Sequence, residues 1–394
     1  MPILFATVLI DLIGFGIIIP ILPFLAPQLG GDAMDIALLL AIYSVFGGLC
    51  GPYWGKLSDQ IGRKPVLLIC LGGAGLSYIM LAYSTTLLTL FVSRIFAGIM
   101  AGNFGVASAM VADMSKPEER AKFMGIIGAA FGLGMVIGPF LGGVLAGPNG
   151  EFMVPALVAA GLSFAALIAG AIFLPESLTR AQREDQAEQR AASSKQSLLT
   201  MLKESGNTLL ALQYFLNNSC HTAISYLFPL WVGHMLGWGA REVGMVFGAQ
   251  GLAMAMLQAG LIGRLVTWLG ELKLLLIGTS LMATGYVVAA SADSAMVIVL
   301  AFFMIVSGGT VCTPVLNTLV AHRTPIHLRG RMLGTTSASA AWGRVFGPLA
   351  AGFALSTLGY HLSWLLGTAV ALCMIAWVLG QMKANVSESQ QNHP

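Results

Sequence analysis

Very few ionisable side chains lie inside the long apolar segments of this sequence. They are Asp11, Arg94, Arg344 and the histidines, chiefly His221. A charge at the centre of a lipid bilayer costs roughly 2.5–3.5 kcal/mol on insertion scales, so such side chains normally face a cavity or a partner. Asp11 is the only carboxylate well inside any segment, and it is therefore the candidate for carrying protons across an apolar barrier.

Arg94 is the candidate partner of this acid. Burial favours the neutral acid, whereas a nearby arginine favours the carboxylate, and this opposition makes a protonation switch possible. We therefore predict that Asp11 carries the proton and that Arg94 is its counter-charge or a group that responds to substrate. The alternative is an ion pair with a purely structural role.

The composition indicates which elements must hold these residues. The 394 residues are 57% hydrophobic and 9% charged, with a mean hydropathy of +0.82, whereas soluble domains carry about 25% charged residues. Twelve apolar segments approach or exceed the roughly 20 residues of a membrane span. They predict an all-α membrane protein with two pseudo-symmetric six-helix bundles. The five cysteines fall in these segments without close pairing, so we expect no disulfide and no metal site.

A charged segment without aromatic residues follows the sixth span and divides the chain. We predict an N-terminal bundle at 1–174, a cytoplasmic linker at 175–205, a C-terminal bundle at 206–382 and a disordered cytoplasmic tail at 383–394. Basic residues concentrate in alternate loops, so the positive-inside rule predicts that both termini are cytoplasmic.

The two halves share a sequence repeat. The loop GKLSDQIGRK after span 2 recurs after span 8 as GRLVTWLGEL, where Thr267 replaces Asp59, so we expect a weaker ion-pair network there. Two same-sense halves predict a substrate site at their interface near the membrane midplane. Around spans 5 and 11, one constant offset relates Arg120 to Arg329, Lys122 to Arg331, Gly125 to Gly334, Gly138 to Gly347, Pro139 to Pro348 and Gly143 to Gly352.

The loop after span 2 resembles the signature G-x-L-[AS]-D-x-x-G-R-[KR] of the major facilitator superfamily, and the resemblance covers nearly the whole chain. It implies a cytoplasmic gate that closes in the outward-open state; the alternative is that these charges only anchor loops at the headgroups. We expect Gly55 to allow close helix packing, Gly62 to permit a tight turn and Arg63 to pair with Asp113. Asp59 is placed to accept from arginines or helix N-termini. The matching residues are Gly55, Leu57, Ser58, Asp59, Gly62, Arg63 and Lys64.

Span 5 fits G-x8-G-x3-G-P-x2-G-G, a pattern typical of this family's drug/proton antiporters. Small residues allow close helix packing and the proline bends the helix; generic packing is the alternative. Span 1, with DLIGFGIIIPILP, resembles tetracycline-efflux transporters, and Arg94, Gly98 and Gly102 match the family's R-x3-G-x3-G. Spans 3 and 9 lack the further acids of those transporters, which argues against tetracycline as substrate. The span 5 residues are Gly125, Gly134, Gly138, Pro139, Gly142 and Gly143.

Polar side chains recur at helical spacing in span 7 and are joined by others in spans 8, 10 and 11. Polar stripes in a bilayer face protein or water, so they predict a substrate cavity or interhelical hydrogen bonds. We expect His221 to be either a group that titrates near neutral pH or a histidine that only packs and hydrogen-bonds in the interior. We expect Arg344 to pair either with an anionic substrate or with backbone carbonyl groups. The candidates are Tyr214, Asn217, Asn218, His221, Gln250, Gln258, Thr313, Asn317 and Arg344.

These patterns predict a monomeric, proton-coupled exporter of small amphipathic molecules that works by alternating access. The alternatives are an exporter of a siderophore or another anionic or zwitterionic metabolite, a nutrient/proton symporter, and a transport-inactive receptor. The expected partners are membrane lipid, protons and a small-molecule substrate. Scattered basic residues argue against nucleic acid, no cofactor is expected, and no enzyme motif is present. Family analogy places the chain in a bacterial inner membrane.

Overall fold

The computed structural model describes residues 2–116, 119–147, 151–178, 208–258, 262–324 and 329–391. Throughout these ranges every regular element is a helix, which confirms the predicted all-α class. Most of the predicted linker at 175–205 lies outside the described residues, as do residues 392–394 of the predicted tail.

The chain to Phe173 forms eight helices. The first predicted span bends by 44° between its two helices, and the fourth is interrupted at residues 100–102. The helices are α1 (Pro2–Ile18), α2 (Leu22–Gln28), α3 (Ala33–Ile61), α4 (Arg63–Ala82), α5 (Leu87–Ile99), α6 (Asn103–Met114), α7 (Arg120–Leu145) and α8 (Met153–Phe173).

The rest of the chain forms six helices within the described ranges. Two predicted spans lie in the last of them, and Gly359, with a φ of 77°, separates them. This helix runs on to Gln391, further than predicted, because KANVSESQQ contains neither glycine nor proline to end it. The helices are α9 (Thr208–Leu236), α10 (Ala240–Met256), α11 (Ile262–Leu269), α12 (Glu271–Ala290), α13 (Ala295–Arg323) and α14 (Arg329–Gln391).

Length and hydropathy identify the membrane-crossing helices. Eight of the described helical stretches are long and apolar enough to cross a membrane, or nine when the bent pair α1–α2 counts as one span. One of the eight, at Met332–Lys383, contains two of the predicted spans. The chain is therefore a multi-pass membrane protein.

The described chain divides into two compact units, each with its own apolar core. The first unit holds α1 to α8 together with residues 238–252, and the second holds α9, the rest of α10 and the helices that follow. The predicted C-terminal bundle at 206–382 differs in one respect, since residues 238–252 pack in the first unit. Leu4, Leu67 and Met110 lie in the core of the first unit, and Leu210, Leu275 and Leu316 in that of the second.

Candidate functional site

Asp11 is buried inside the first unit, with 4% of its surface exposed. Its Oδ2 accepts a hydrogen bond from Asn103 Nδ2 at the start of α6, and the hydroxyl group of Ser163 on α8 lies beside the carboxyl group. Oδ1 makes no hydrogen bond of good geometry with any described residue. The α1 helix thus holds a carboxyl group among polar but uncharged neighbours.

A small cavity adjoins this carboxyl group. Its volume is about 10 Å³, and Thr7, Asp11 and Asn103 are the polar residues in its lining. A cavity of this size has room for about one water molecule. The carboxyl group can therefore exchange a proton with a water molecule without leaving the interior of the unit.

Arg94 does not pair with Asp11. In the described residues the two side chains form no ion pair within 4.0 Å, and Arg94 Nε is buried without a hydrogen bond. Arg94 lies nine residues before Asn103, the residue that contacts Asp11, and the interruption of the span at residues 100–102 separates the two. The predicted direct counter-charge is therefore absent, while a response of Arg94 to substrate stays a prediction.

Aromatic stacking connects Arg94 to α1 instead. The guanidinium carbon lies 4.7 Å from the centre of the Tyr43 ring, in cation–π geometry. The Tyr43 ring stacks on Phe15, with 5.4 Å between ring centres, and Phe15 lies one helical turn beyond Asp11. Ring contacts through Tyr43 and Phe15 thus link Arg94 on α5 to α1 at a position one helical turn beyond Asp11.

The R-x3-G-x3-G pattern turns one face of α5 towards α3. A Cβ atom at Gly98 would lie 2.7 Å from the carbonyl oxygen of Tyr43, and one at Gly102 would lie 2.6 Å from the Trp54 ring. Both glycines are therefore required by close approach. Sequence reasoning missed Trp54 and Asn103, although a polar residue directly after a glycine within an apolar span was a usable signal for Asn103.

Arg63 is the centre of the predicted cytoplasmic gate. Its Nη1 lies 2.7 Å from Asp59 Oδ1 and its Nε lies 2.9 Å from Asp113 Oδ2, so the predicted pair with Asp113 is confirmed. Gly62 joins α3 to α4 with a φ of 111°, the tight turn that was predicted. Gly55 differs from expectation, because a Cβ atom there would meet nothing within 4 Å in the described structure. Close packing therefore does not explain Gly55.

Glu176, which follows α8, completes this cluster and was not predicted. Its carboxylate oxygens accept hydrogen bonds from the backbone N–H groups of Arg63, at 2.9 Å, and Lys64, at 3.2 Å. Lys64 Nζ donates in turn to the carbonyl oxygen of Ala171 at the end of α8, at 2.7 Å. A carboxylate at a helix N-terminus satisfies donors that have no partner within the helix. The gate region thus ties α8 to the start of α4.

The glycines in the second half of span 5 contact two neighbouring helices. A Cβ atom at Gly138 would lie 2.7 Å from the carbonyl oxygen of Ile13, and one at Gly142 would overlap the carbonyl oxygen of Ile17, both on α1. On another face, a Cβ atom at Gly143 would lie 2.9 Å from Gly244 of α10. These contacts explain why residues 238–252 pack in the first unit.

The polar stripe of α9 pairs largely with α13 of the same unit. Tyr214 Oη donates to Asn317 Oδ1 at 2.5 Å, and Asn217 Nδ2 donates to Thr313 Oγ1 at 3.3 Å. The interhelical hydrogen bonds that were one of the two alternatives are therefore present. Thr313 and Asn317 nevertheless remain exposed at their other side.

Arg344 lies beside this stripe on α14. Its Nη1 is 3.5 Å from Asn218 Oδ1, and it lies within electrostatic range of His221. Glycine positions on α14 allow the approach, since a Cβ atom at Gly343 would overlap the carbonyl oxygen of Phe215 on α9. Arg344 is exposed, whereas His221 is partly buried and forms no side-chain hydrogen bond within the described ranges. The structure brings Asn218, His221 and Arg344 together.

The two glutamines of α10 and its extension differ in burial and belong to different units. Gln250 is 2% exposed and belongs to the first unit, whereas Gln258 is exposed and follows the unit boundary. A π-helical turn at 257–258 shifts the helical register there. Both glutamines therefore stay candidates for the substrate cavity, and no described contact joins them.

Comparison with known proteins agrees with this architecture. The sequence profile of the Major Facilitator Superfamily matches residues 4–325 and again 210–393. The tetracycline resistance protein, class D, of Salmonella ordonez is 31% identical over 382 residues, which cover 93% of this chain and 94% of that protein.

Solved structures show the same fold. The human organic anion transporter MFSD10 (TETRAN) gives a TM-score of 0.70 at 24% identity, over 96% of this chain and 98% of that chain. A D-xylose-proton symporter gives a TM-score of 0.74 at 16% identity, and the match covers 95% of this chain and 96% of that chain. The apolar spans, the ion pairs around Arg63 and these similarities lead to one conclusion: the chain is a membrane transporter that belongs to the major facilitator superfamily.

Proposed function

We propose that this transporter is a proton-coupled exporter of small amphipathic molecules, with Asp11 as its proton carrier. The observation that carries the proposal is the environment of Asp11, a carboxyl group that is buried in a span beside a water-sized cavity and has no cationic side chain within ion-pair distance among the described residues. A buried carboxylate without a counter-charge is costly, so proton uptake and release change the energy of the conformation that holds it. Such a group couples proton movement to alternating access.

The membrane potential is a sufficient driving force for modest export. One charge that moves through 100 mV supplies about 2.3 kcal/mol, and each 1.4 kcal/mol corresponds to a tenfold concentration ratio. One net proton per cycle would therefore sustain roughly a 40-fold substrate gradient.

The exposed polar groups of the second unit are the proposed substrate surface. Thr313, Asn317 and Arg344 lie within spans yet are exposed, and lipid-facing polar groups are unfavourable. We place these three residues on a water-filled cavity. The exposed guanidinium group favours a second candidate within the same class, an exporter of anionic or zwitterionic molecules, because it offers parallel N–H donors to a carboxylate.

The cluster around Arg63 is the proposed cytoplasmic gate. Arg63, Asp59 and Asp113 form ion pairs at the ends of α3, α4 and α6, and the positive-inside rule places these ends in the cytoplasm together with both chain termini. The likeness to tetracycline resistance proteins of bacteria supports a bacterial inner membrane as the location.

Proton movement in liposomes tests the proposal. Purified protein is reconstituted with a pH-sensitive dye in the lumen, and tetracycline or an organic anion is added outside. An antiporter exchanges luminal protons for substrate, so the luminal pH rises; a symporter lowers it, and a transport-inactive receptor leaves it unchanged. The last two outcomes, found across the substrate panel, would overturn the proposal.

Two matched variants locate the proton carrier. Asp11→Asn should abolish the substrate-induced pH change while insertion into the membrane remains normal. Asp293→Asn makes the same chemical change at an exposed position and should leave the signal intact. Undiminished proton exchange by Asp11→Asn would exclude Asp11 as the carrier.

A further inference from the structure

The fourth span is interrupted where it passes Asp11. α5 ends at Ile99, and the last carbonyl groups of a helix lack partners in the next turn. The indole N–H of Trp54 donates to the Ile99 carbonyl oxygen at 2.5 Å, and the Trp54 ring lies against Gly102. The interruption is therefore fixed by packing against α3.

Asn103, the first residue of α6, joins this interruption to Asp11. Its Oδ1 accepts a hydrogen bond from the backbone N–H of Phe104 at 3.0 Å. Because one amide atom is the acceptor in that bond, the orientation of the amide group is fixed and Nδ2 donates to Asp11 Oδ2. The amide group thus spans the gap between α6 and α1.

We propose that Asn103 is a positioning residue that holds Asp11 as a carboxylate and transmits the loss of its charge to the interrupted span. The inference rests on the proposed role of Asp11 as proton carrier. A hydrogen bond with an ionised partner is roughly twice as strong as one between neutral groups. Proton uptake by Asp11 therefore weakens the connection between α1 and the start of α6.

The cavity beside the pair supplies the space through which the proton arrives. It is lined by Asp11, Asn103 and Thr7, and otherwise by apolar side chains such as Leu67 and Leu71. A water molecule there has the carboxyl and amide groups as its neighbours, so the proton passes from water to Asp11 directly. Asn103 takes up no proton at any point.

Infrared difference spectroscopy of the purified protein tests the inference. The C=O stretching band of protonated Asp11 is identified by its loss in Asp11→Asn, and its titration midpoint is then measured. Asn103→Leu removes the donor at similar volume and should move the midpoint upward by about one pH unit, a tenfold increase in proton affinity. Asn103→Gln keeps an amide group and should show a smaller shift.

Ser108→Ala is the matched control, because Ser108 lies on the same helix, is half-buried like Asn103 and bonds only to the Phe104 carbonyl oxygen among described residues. It should leave the midpoint in place. The pH profile of transport should move with the infrared midpoint in Asn103→Leu. If Asn103→Leu does not fold, Asn103→Ser replaces it, since the shorter hydroxyl side chain also removes the amide donor.

The results separate this inference from the proposed function. An unchanged midpoint in a folded Asn103 variant, or an equal shift in Ser108→Ala, overturns the role of Asn103 even when transport is proton-coupled. Conversely, a shifted midpoint in a protein that moves no protons with substrate supports the hydrogen-bond assignment and contradicts the proposed function.

Discussion

Glu271 and His322 hold in the second unit the positions that Arg63 and Asp113 hold in the first, with the charges exchanged. Glu271 Oε1 lies 3.1 Å from His322 Nδ1, and Arg63 Nε lies 2.9 Å from Asp113 Oδ2. Both pairs join the start of one span to the end of the next span, α4 to α6 in the first unit and α12 to α13 in the second. The offset that relates Arg120 to Arg329 also relates Asp113 to His322. The pair in the first unit joins an arginine to an aspartate, whereas the pair in the second unit contains a histidine, which is charged only when it is protonated.

This asymmetry predicts unequal effects of breaking the two pairs. Asp113→Asn leaves the buried Arg63 with Asp59 and the Ser58 hydroxyl group as side-chain partners among the described residues. We therefore expect the free energy of unfolding to fall by about 2 kcal/mol, less than the 3–5 kcal/mol typical of a broken buried pair. His322→Gln removes a partner whose side chain is 66% exposed, and it should change thermal stability little at alkaline pH. Thermal unfolding in detergent measures the stability of both variants. An equal loss of stability in Asp113→Asn and His322→Gln would contradict the prediction.

The span 5 glycines should divide into packed and open positions. Gly142→Ala places a methyl group against the Ile17 carbonyl oxygen, and overpacking of this kind costs typically 1–3 kcal/mol. Gly125→Ala is the matched control, because a Cβ atom there meets nothing within 4 Å in the described structure. It should preserve stability or increase it. Comparison of melting temperatures and transport rates checks the prediction, and equal tolerance at both positions would count against it.

The ring of Tyr43 should matter more than its hydroxyl group. Tyr43→Phe keeps an aromatic face beneath Arg94, whereas Tyr43→Leu removes a cation–π contact worth about 1 kcal/mol. We expect Tyr43→Leu to lower the transport rate about fivefold and Tyr43→Phe to lower it less. Counterflow of a labelled substrate provides the measurement, with Tyr83→Leu, at an exposed tyrosine, as control. A larger defect in Tyr43→Phe would assign the effect to the hydroxyl group.

Arg344 should select for substrate charge. Arg344→Gln removes the guanidinium group, and we expect about tenfold weaker binding of an anionic substrate, since charge-assisted hydrogen bonds are the stronger ones. Binding of a cationic dye should be unchanged or tighter. Arg344→Lys keeps the positive charge but lacks the planar pair of N–H donors. Its affinity for the anionic substrate should lie between that of the unchanged protein and that of Arg344→Gln. Titration of the purified protein with the anionic substrate and with the cationic dye measures both affinities. An equal loss of affinity for the two ligands would contradict charge selection and indicate a structural role for Arg344.

The sequence was sufficient for features that depend on local patterns. Long apolar runs predicted the helices, and Gly62 predicted the turn that starts α4, because a positive φ strongly favours glycine. Arg63 and Asp113 were predictable as partners because few charges are available in so apolar a chain. Such features need no knowledge of how the helices rotate about their axes.

Other features depend on that rotation and on local breaks. The partner of Asp11 is Asn103 rather than Arg94, because the interruption of the fourth span decides which residue reaches α1. A π-helical turn at 257–258 interrupts the regular helical register before Gln258, which is exposed, whereas Gln250 is buried. Hydrophobic periodicity has no signal for either event, since it assumes an unbroken helix.

The bond from Trp54 to Ile99 gives this protein a built-in optical reporter. Indole fluorescence responds to hydrogen bonding and local polarity. The indole N–H of Trp54 donates to the carbonyl oxygen of Ile99, the last residue before the interruption of the fourth span. A variant that retains Trp54 and replaces the other tryptophans would show in its emission spectrum whether the span changes shape as substrate and protons are exchanged.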